Sequence, residues 1–323
     1  MPDFTDPTVA KWFERRTFKA APPPAEVLLA LKRASGLSIG ACLPALDEEA
    51  TVGTICNVIS TELVDTGLVD RLVVIDSGSR DATSEVAEAA GAKVFVASDL
   101  VPRAGVLEHP GKGESLWKSL SVMDTDIVVW LDSDTRNFTA GFVAALVAPL
   151  LEHDGIVLTK AFYDRPYDGP AGVLPMGGAR VTEISVRPLI NLLYPELAGF
   201  IQPLSGEYAA RREVLLDIPF GTGYDVDLLL LIELAEHAGL DALSQVDLGN
   251  RLHRNRDIPA LGRMSFQIMR TMLERLDESG RLKLADELPQ TLTQYMDHQG
   301  SGGVHTFEMR SERRPPMREF LRG

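Results

Sequence analysis

Apolar residues along this chain fall into short unbroken runs separated by amphipathic stretches. The run at 127–131, Ile-Val-Val-Trp-Leu, is bulky and partly β-branched, and its length suits a strand buried on both faces. Similar runs predict strands over 38–43, 71–75 and 93–97, with Pro44 ending the first. Between them, Val52, Ile55, Val58 and Ile59 give one apolar face to a helix reaching about 63. A second helix is expected over 82–90, with Asp81 as its N-cap and Gly91 just past its end. This alternation reads as a Rossmann-like α/β fold, a mostly parallel sheet flanked by helices. Ligands of such sheets bind beyond the carboxyl ends of the strands.

The remaining pattern continues the theme. Helices are expected over 138–151 and 226–238, a strand over 155–162 and another over 241–247. A glycine-rich loop at 175–183 opens a helix through 193, and 202–215 reads as strand, turn and short helix. An amphipathic helix runs from 260 to about 276. Phe13, Phe18 and the three prolines at 22–24 suggest an extended N-terminal arm over 1–36, with a helix at 25–33. Beyond the arm, the pattern divides the chain into an α/β part over 37–165, a second part of the same domain over 166–285, and a tail over 286–323. Its glycines at 300–303 and the stretch 313–317 predict a loosely ordered tail that crosses the face of the site.

Composition narrows the class. With 45% apolar and 24% charged residues in 323, the chain is an ordinary globular protein. Its formal charge of −14 argues against nucleic acid or an anionic membrane as partner. Any phosphate must therefore be held locally. Cys42 and Cys56 do not make a disulfide framework. The longest apolar stretch, 140–151, contains Pro149 and is too short to span a bilayer. The N-terminus has no signal-like apolar core, so a cytoplasmic protein is expected.

Candidate chemistry begins at Asp132-Ser133-Asp134, directly after the 127–131 run. A solvated acidic turn would look the same in isolation. At a buried strand end, however, paired carboxylates suit Mg²⁺ or Mn²⁺, completed by the diphosphate of a nucleotide. The loops at 44–49 and 76–79 also follow strands, which supports that reading. Gly111 and Gly113 flank Lys112 where a helix starts just after Gly113, an arrangement suited to a diphosphate. Arg180 and Thr182, in the loop with Gly178 and Ala179, form a second anion site suited to an acidic acceptor. Asp225 and Asp227 open the 226–238 helix, as caps or as chemical groups. His253, among Arg251, Arg254 and Arg256, is a candidate metal ligand.

Taken in order, the segments PALDEEATV, VVIDSGSRDAT, PGKGESLWKSL, VVWLDSDT, GGARVTE, QPLSGEYA and HRNR resemble the glucosyl- and mannosyl-3-phosphoglycerate synthases of actinobacteria, over about 37–270. These are retaining glycosyltransferases of GT-A fold. The resemblance implies that the α/β part binds a nucleotide sugar, through Pro44, Ala45, Leu46, Glu48 and Ser77, with Lys112 on the diphosphate or sugar and Asp132 on the ribose or sugar. Asp134 and His253 would bind Mg²⁺ or Mn²⁺. Gly178, Ala179, Arg180 and Thr182, with Asn255 nearby, would hold 3-phosphoglycerate. Asp227 stands near the donor sugar, where the family carries Glu. It is the candidate nucleophile, although a same-face route with internal return is favoured. A homodimer is also implied.

Two departures concern the donor side: Asp47 for the usual Asn, and Asp225-Val226-Asp227 for Gly-Val-Glu. GDP-mannose and UDP-glucose both fit, with mannose the first choice. The alternatives are a GT-A enzyme with another acidic or lipid-phosphate acceptor, a nucleotidyltransferase, or an inactive sugar-nucleotide-binding protein. The first loop is not glycine-rich, which speaks against a nucleotidyltransferase. The intact Lys112, Asp132, Asp134 and His253 set speaks against an inactive one.

Overall fold

The computed structural model describes residues 4–19, 22–101, 111–164, 167–169, 172–174, 177–252, 257–295 and 303–321. In chain order the strands are β1 (Thr17–Phe18), β2 (Ile39–Ala45), β3 (Arg71–Asp76), β4 (Lys93–Val96), β5 (Ile127–Trp130), β6 (Leu158–Asp164), β7 (Tyr167–Gly169), β8 (Gly172–Leu174), β9 (Tyr208–Arg211), β10 (Phe220–Gly221), β11 (Leu243–Asn250), β12 (Thr291–Tyr295), β13 (Val304–Glu308) and β14 (Arg313–Arg314). The helices are α1 (Pro7–Arg16), α2 (Ala25–Ser35), α3 (Val52–Ile59), α4 (Thr83–Ala89), α5 (Lys112–Ser119), α6 (Ala140–Glu152), α7 (Arg187–Leu193), α8 (Arg212–Leu215), α9 (Val226–Ala238), α10 (Ile258–Glu278) and α11 (Arg318–Leu321).

Eight strands form one sheet in the order β1-β11-β6-β9-β5-β2-β3-β4. Neighbours are parallel except at β9, which enters antiparallel between β6 and β5. Both faces are covered. Ile127, Val129 and Leu131 enter one core with Leu43, Phe142 and Leu146, while Val128 and Trp130 enter the other with Trp117, Tyr208 and Leu230. A strand covered on both sides needs apolar residues at every position, which explains the unbroken run. The chain steps from β2 to β3 to β4, then returns to lay β5 on the other side of β2. A crevice opens where the strand order reverses in this way. Among the described residues, no helix is long and apolar enough to cross a membrane.

The N-terminal arm differs from the extended segment expected. Asp6 caps α1 by accepting from the Thr8 N–H at 2.7 Å, with Pro7 in its first turn. Val9 and Trp12, three residues apart, bury its inner face. Trp12 lies 4.5 Å from the Phe200 ring and donates from Nε1 to the Leu243 carbonyl at 2.9 Å. β1 then adds to the sheet edge beside β11. Phe13 therefore lies in α1 and Phe18 in β1, a helix and an edge strand in place of an extended arm. At the other end, the described tail is ordered: β12 and β13 pair as a hairpin, and β14 pairs with β10. Asp81 sits one residue before the N-cap position of α4, Ala82, yet its carboxylate still accepts the Thr83 N–H at 3.0 Å. In 202–215 the turn comes first, followed by β9 and α8.

Candidate active site

Three loops leave the carboxyl ends of β2, β3 and β5 and meet over the crevice. They are laced by local polar contacts. Ser133 Oγ donates to the Pro44 carbonyl at 2.8 Å, and Thr51 Oγ1 donates to the Ser133 carbonyl at 2.6 Å. Ser77 shares a 2.7 Å hydrogen bond with Ser115 of α5. Asp76 accepts the Gly78 and Ser79 N–H groups, which shapes the turn after β3. Pro44, Ala45, Leu46, Glu48, Ser77, Lys112, Asp132 and Asp134 all line one cleft of about 310 Å³.

At the cleft floor the charges form one network. Lys112 Nζ lies 2.8 Å from Asp132 Oδ1 and 3.1 Å from Asp227 Oδ2. Burial opposes its charge, but Asp132 and Asp227 together outweigh it and hold the ammonium above its ordinary pKa. One terminal nitrogen of Arg251 bridges Asp132 Oδ2 at 2.9 Å and Asp134 Oδ1 at 2.8 Å. Arg251 Nε is anchored from below by Glu207 Oε1 at 2.6 Å, and Tyr163 donates to Glu207 Oε2 at 2.6 Å. Desolvation of Arg251 is overcome first by Glu207, so its pKa is raised well above the ordinary value. Gly206 presses on this network from beneath: a Cβ there would lie 2.3 Å from Asp132 Oδ2 and 2.4 Å from Lys112 Nζ.

The metal expected at Asp132 and Asp134 can be judged on the donor set. The two side chains face the cleft, 23% and 28% exposed, and offer hard carboxylate oxygens held at fixed positions by Arg251. That set suits a divalent ion whose shell is completed by phosphate oxygens. Among the described residues, no group of three or more His, Cys, Asp or Glu could hold one alone. His253 and Asn255, expected at the metal and acceptor sites, lie outside the described residues.

Gly178, Ala179, Arg180, Val181 and Thr182 form the opposite wall of the same cleft, where a 3₁₀ turn (Gly177–Ala179) leads to a π-helical turn (Thr182–Val186) before α7. Ser185 Oγ meets Ser265 Oγ of α10 at 2.6 Å, and Leu261 and Met264 of α10 complete that wall. The cleft thus brings together the residues expected on the donor side and those expected on the acceptor side. Tyr224, Leu204 and Arg251 also line it and were not among the expected site residues. Arg251 carried a visible signal, as the first arginine of its basic segment. Leu204 and Tyr224 carried none beyond their neighbours.

The two sequence departures prove unequal. Asp47 does not line the cleft; it occupies the left-handed region at φ 55° and accepts the Arg80 N–H at 2.8 Å. Asp serves that turn as Asn does. Asp225 turns away too, accepting from Thr271 Oγ1 at 2.7 Å and Ser311 Oγ at 2.9 Å, while burial raises its pKa despite these bonds. Only Asp227 of the pair faces the cleft. The tail also differs from expectation: no described residue of it lines the cleft. It backs the site instead, through Glu312 on Thr222, Ser311 on Asp225, and Arg314 Nε on Glu114 Oε2 at 2.7 Å.

A mostly parallel sheet with a carboxylate pair and a lysine in the cleft at its switch point fits a glycosyltransferase of GT-A type. Residues 41–200 match the family model described as glycosyl transferase family 2. The glucosyl-3-phosphoglycerate synthase of Petrotoga mobilis is 44% identical over 291 residues, covering 90% of this chain and 89% of that protein. Among solved structures, the mannosyl-3-phosphoglycerate synthase of Rubrobacter xylanophilus has a TM-score of 0.88 and 37% identity, covering 97% of this chain and 98% of that one. The glucosyl-3-phosphoglycerate synthase of Mycobacterium tuberculosis, in complex with Mn²⁺, UDP-glucose and phosphoglyceric acid, has a TM-score of 0.82 and 44% identity, covering 94% and 98%. That mycobacterial enzyme is also solved with Mg²⁺ and UDP. The chain belongs to the glucosyl-3-phosphoglycerate synthase family of glycosyltransferases.

Proposed function

We propose that this protein transfers glucose from UDP-glucose to 3-phosphoglycerate with retention, aided by Mg²⁺ or Mn²⁺. The observation that carries the reading is the single cleft lined both by the Lys112, Asp132 and Asp134 set and by Arg180 and Thr182. Glucose replaces the mannose that the sequence pattern favours, because the glucosyl relatives from Petrotoga mobilis and Mycobacterium tuberculosis are 44% identical, against 37% for the mannosyl relative. The Asp47 departure, which had kept the donor open, does not reach the cleft.

In this reading Pro44, Ala45, Leu46, Glu48 and Ser77 take the nucleoside side of the donor. Asp134 holds the divalent ion with His253, and Asp132 takes the ribose or sugar. The ion, when bound, supplies charge neutralisation to the departing diphosphate. Lys112 adds a fixed positive charge at the start of α5, where backbone N–H groups also favour an anion. Gly178, Ala179, Arg180 and Thr182, with Asn255, hold the acceptor, and Arg180 aims its free hydroxyl at the anomeric carbon. Asp227 Oδ1 is buried with no hydrogen-bond partner among the described residues, and Asp227 lines the cleft. A same-face route assigns the acceptor proton to the leaving phosphate, leaving Asp227 to hold the sugar. If so, Asp227→Asn protein incubated with donor carries no covalent sugar by mass spectrometry; a glycosyl adduct would overturn the same-face route. Family membership also makes a homodimer the expected assembly, which light scattering reads.

The test of the function is nucleoside-diphosphate release, UDP from UDP-glucose or GDP from GDP-mannose, with purified protein and Mg²⁺. UDP-glucose and GDP-mannose are compared, each with and without 3-phosphoglycerate. Release that depends on 3-phosphoglycerate and is faster with UDP-glucose supports the reading. Faster turnover of GDP-mannose would reverse the donor, and release indifferent to 3-phosphoglycerate would remove the acceptor.

A further inference from the structure

Lys160 sits in the middle of β6 and is only 2% exposed. A buried ammonium is unfavourable unless its donors are satisfied. Here Nζ donates to the Ser205 carbonyl at 2.8 Å and to the Asp227 carbonyl at 3.2 Å. It also lies 4.4 Å from the ring centroid of Tyr208, its cross-strand partner. Both carbonyls belong to walls of the site. Ser205 precedes Gly206, the floor under Asp132 and Lys112, and Asp227 opens α9. Lys160 does not line the cleft. It reaches the reacting groups from behind, and no step of the reaction above uses it.

We propose that Lys160 is a positioning residue for glycosyl transfer: its ammonium clamps the turn at Ser205 and Gly206 to the first turn of α9, fixing Asp132, Lys112 and Asp227 relative to one another. The proposal rests on the transferase reading of the cleft. The groups facing Lys160 are Asp227 from α9, Lys112 from α5, Glu207 and Tyr208 at the start of β9, and Asp132 beyond β5. Burial lowers its pKa, Asp227 opposes that, and Lys112 lowers it further, to about 8. Lys112 and Tyr208 are both pushed up instead. Lys160 therefore sheds its charge in mildly alkaline solution, which weakens the clamp. The stability sign runs the other way. Above about pH 8 the unfolded chain holds this proton and the folded one does not, so this group makes folding more favourable as pH rises toward 10.5.

Wild type and Lys160→Met are compared for kcat and KM with UDP-glucose, and for thermal unfolding, from about pH 6 to about pH 10. At neutral pH the variant's kcat should fall roughly 10²-fold while KM for the donor stays within about threefold, the signature of misplaced reacting groups. The wild type should lose kcat above pH 8 and gain stability there, and the variant should show neither change. A merely structural lysine would lower stability and leave the alkaline limb in place. A variant kcat within about threefold of wild type, or an unchanged alkaline limb, overturns the proposal. If the Met variant does not fold, Lys160→Gln, which keeps an N–H donor without charge, reads the same quantities. Wild type lacking acceptor-dependent release would strike the transferase reading. The positioning role of Lys160 in transfer would fall with it, whereas acceptor-dependent wild-type release with an unaffected variant overturns the clamp alone.

Discussion

Gly206→Ala places a methyl group where the charged network leaves no room. Its carbon would lie 2.3 and 2.4 Å from the two Asp132 carboxylate oxygens and 2.4 Å from Lys112 Nζ, whereas ordinary contact begins at 3.4 Å. The neighbours must therefore retreat by roughly 1 Å. They are side-chain ends, so the fold can yield, and the overpacking penalty should sit near the low end of about 1–3 kcal/mol. The site cannot yield as freely. Asp132 is held by Lys112 on one oxygen and Arg251 on the other, and Lys112 is also tied to Asp227. A shift of about 1 Å in such groups costs on the order of 10²-fold in rate, or about 2.7 kcal/mol of barrier. The assay is kcat for UDP release with saturating 3-phosphoglycerate, beside thermal unfolding of the same sample. A folded Gly206→Ala protein with kcat within about threefold of wild type would refute the tight floor and the network above it.

Further outcomes follow from the same geometry. Arg180→Met should lower kcat/KM for 3-phosphoglycerate about ten- to a hundredfold, one charge-assisted bond being worth about 1.5–3 kcal/mol, while donor binding is kept; equal losses for donor and acceptor would contradict the acceptor assignment. Asp134→Asn should weaken Mn²⁺-dependent UDP binding by calorimetry, and chelation should do the same to wild type; unchanged binding in the variant would remove Asp134 from the ion. Arg314→Met takes from buried Glu114 of α5 its nearer cation and leaves Lys118 at 3.4 Å, so urea unfolding should show a loss at or below the low end of the roughly 3–5 kcal/mol of a fully orphaned charge, and a loss under about 1 kcal/mol would deny the tail its bracing role.

Most of the sheet was readable because both of its faces are buried. The run at 127–131 and the amphipathic stretch beginning at Val52 each have one physical explanation, and the structure places β5 and α3 there. α9 has the bounds expected, since its apolar run begins at the acidic turn and ends at Gly239. β9 was harder. Its pairings with β5 and β6 are long-range, and nothing in Tyr-Ala-Ala-Arg announces an antiparallel strand inside a parallel sheet. The cleft residues were legible where glycine or acidic motifs followed strands. Lys160 was not, because a lysine in an apolar run gives no sign of which carbonyls will receive it. Arg251 was visible as charge, but its bridge between Asp132 and Asp134 exists only once β11 ends beside β6.

The central claim is one cleft serving both donor and acceptor, and its most direct test is UDP release from UDP-glucose with Mg²⁺ as 3-phosphoglycerate is titrated in. The account predicts release that rises and saturates with 3-phosphoglycerate in wild type, and whose acceptor dependence is shifted to higher concentration by Arg180→Met with little change in the donor's KM. Release independent of 3-phosphoglycerate in both proteins would contradict it.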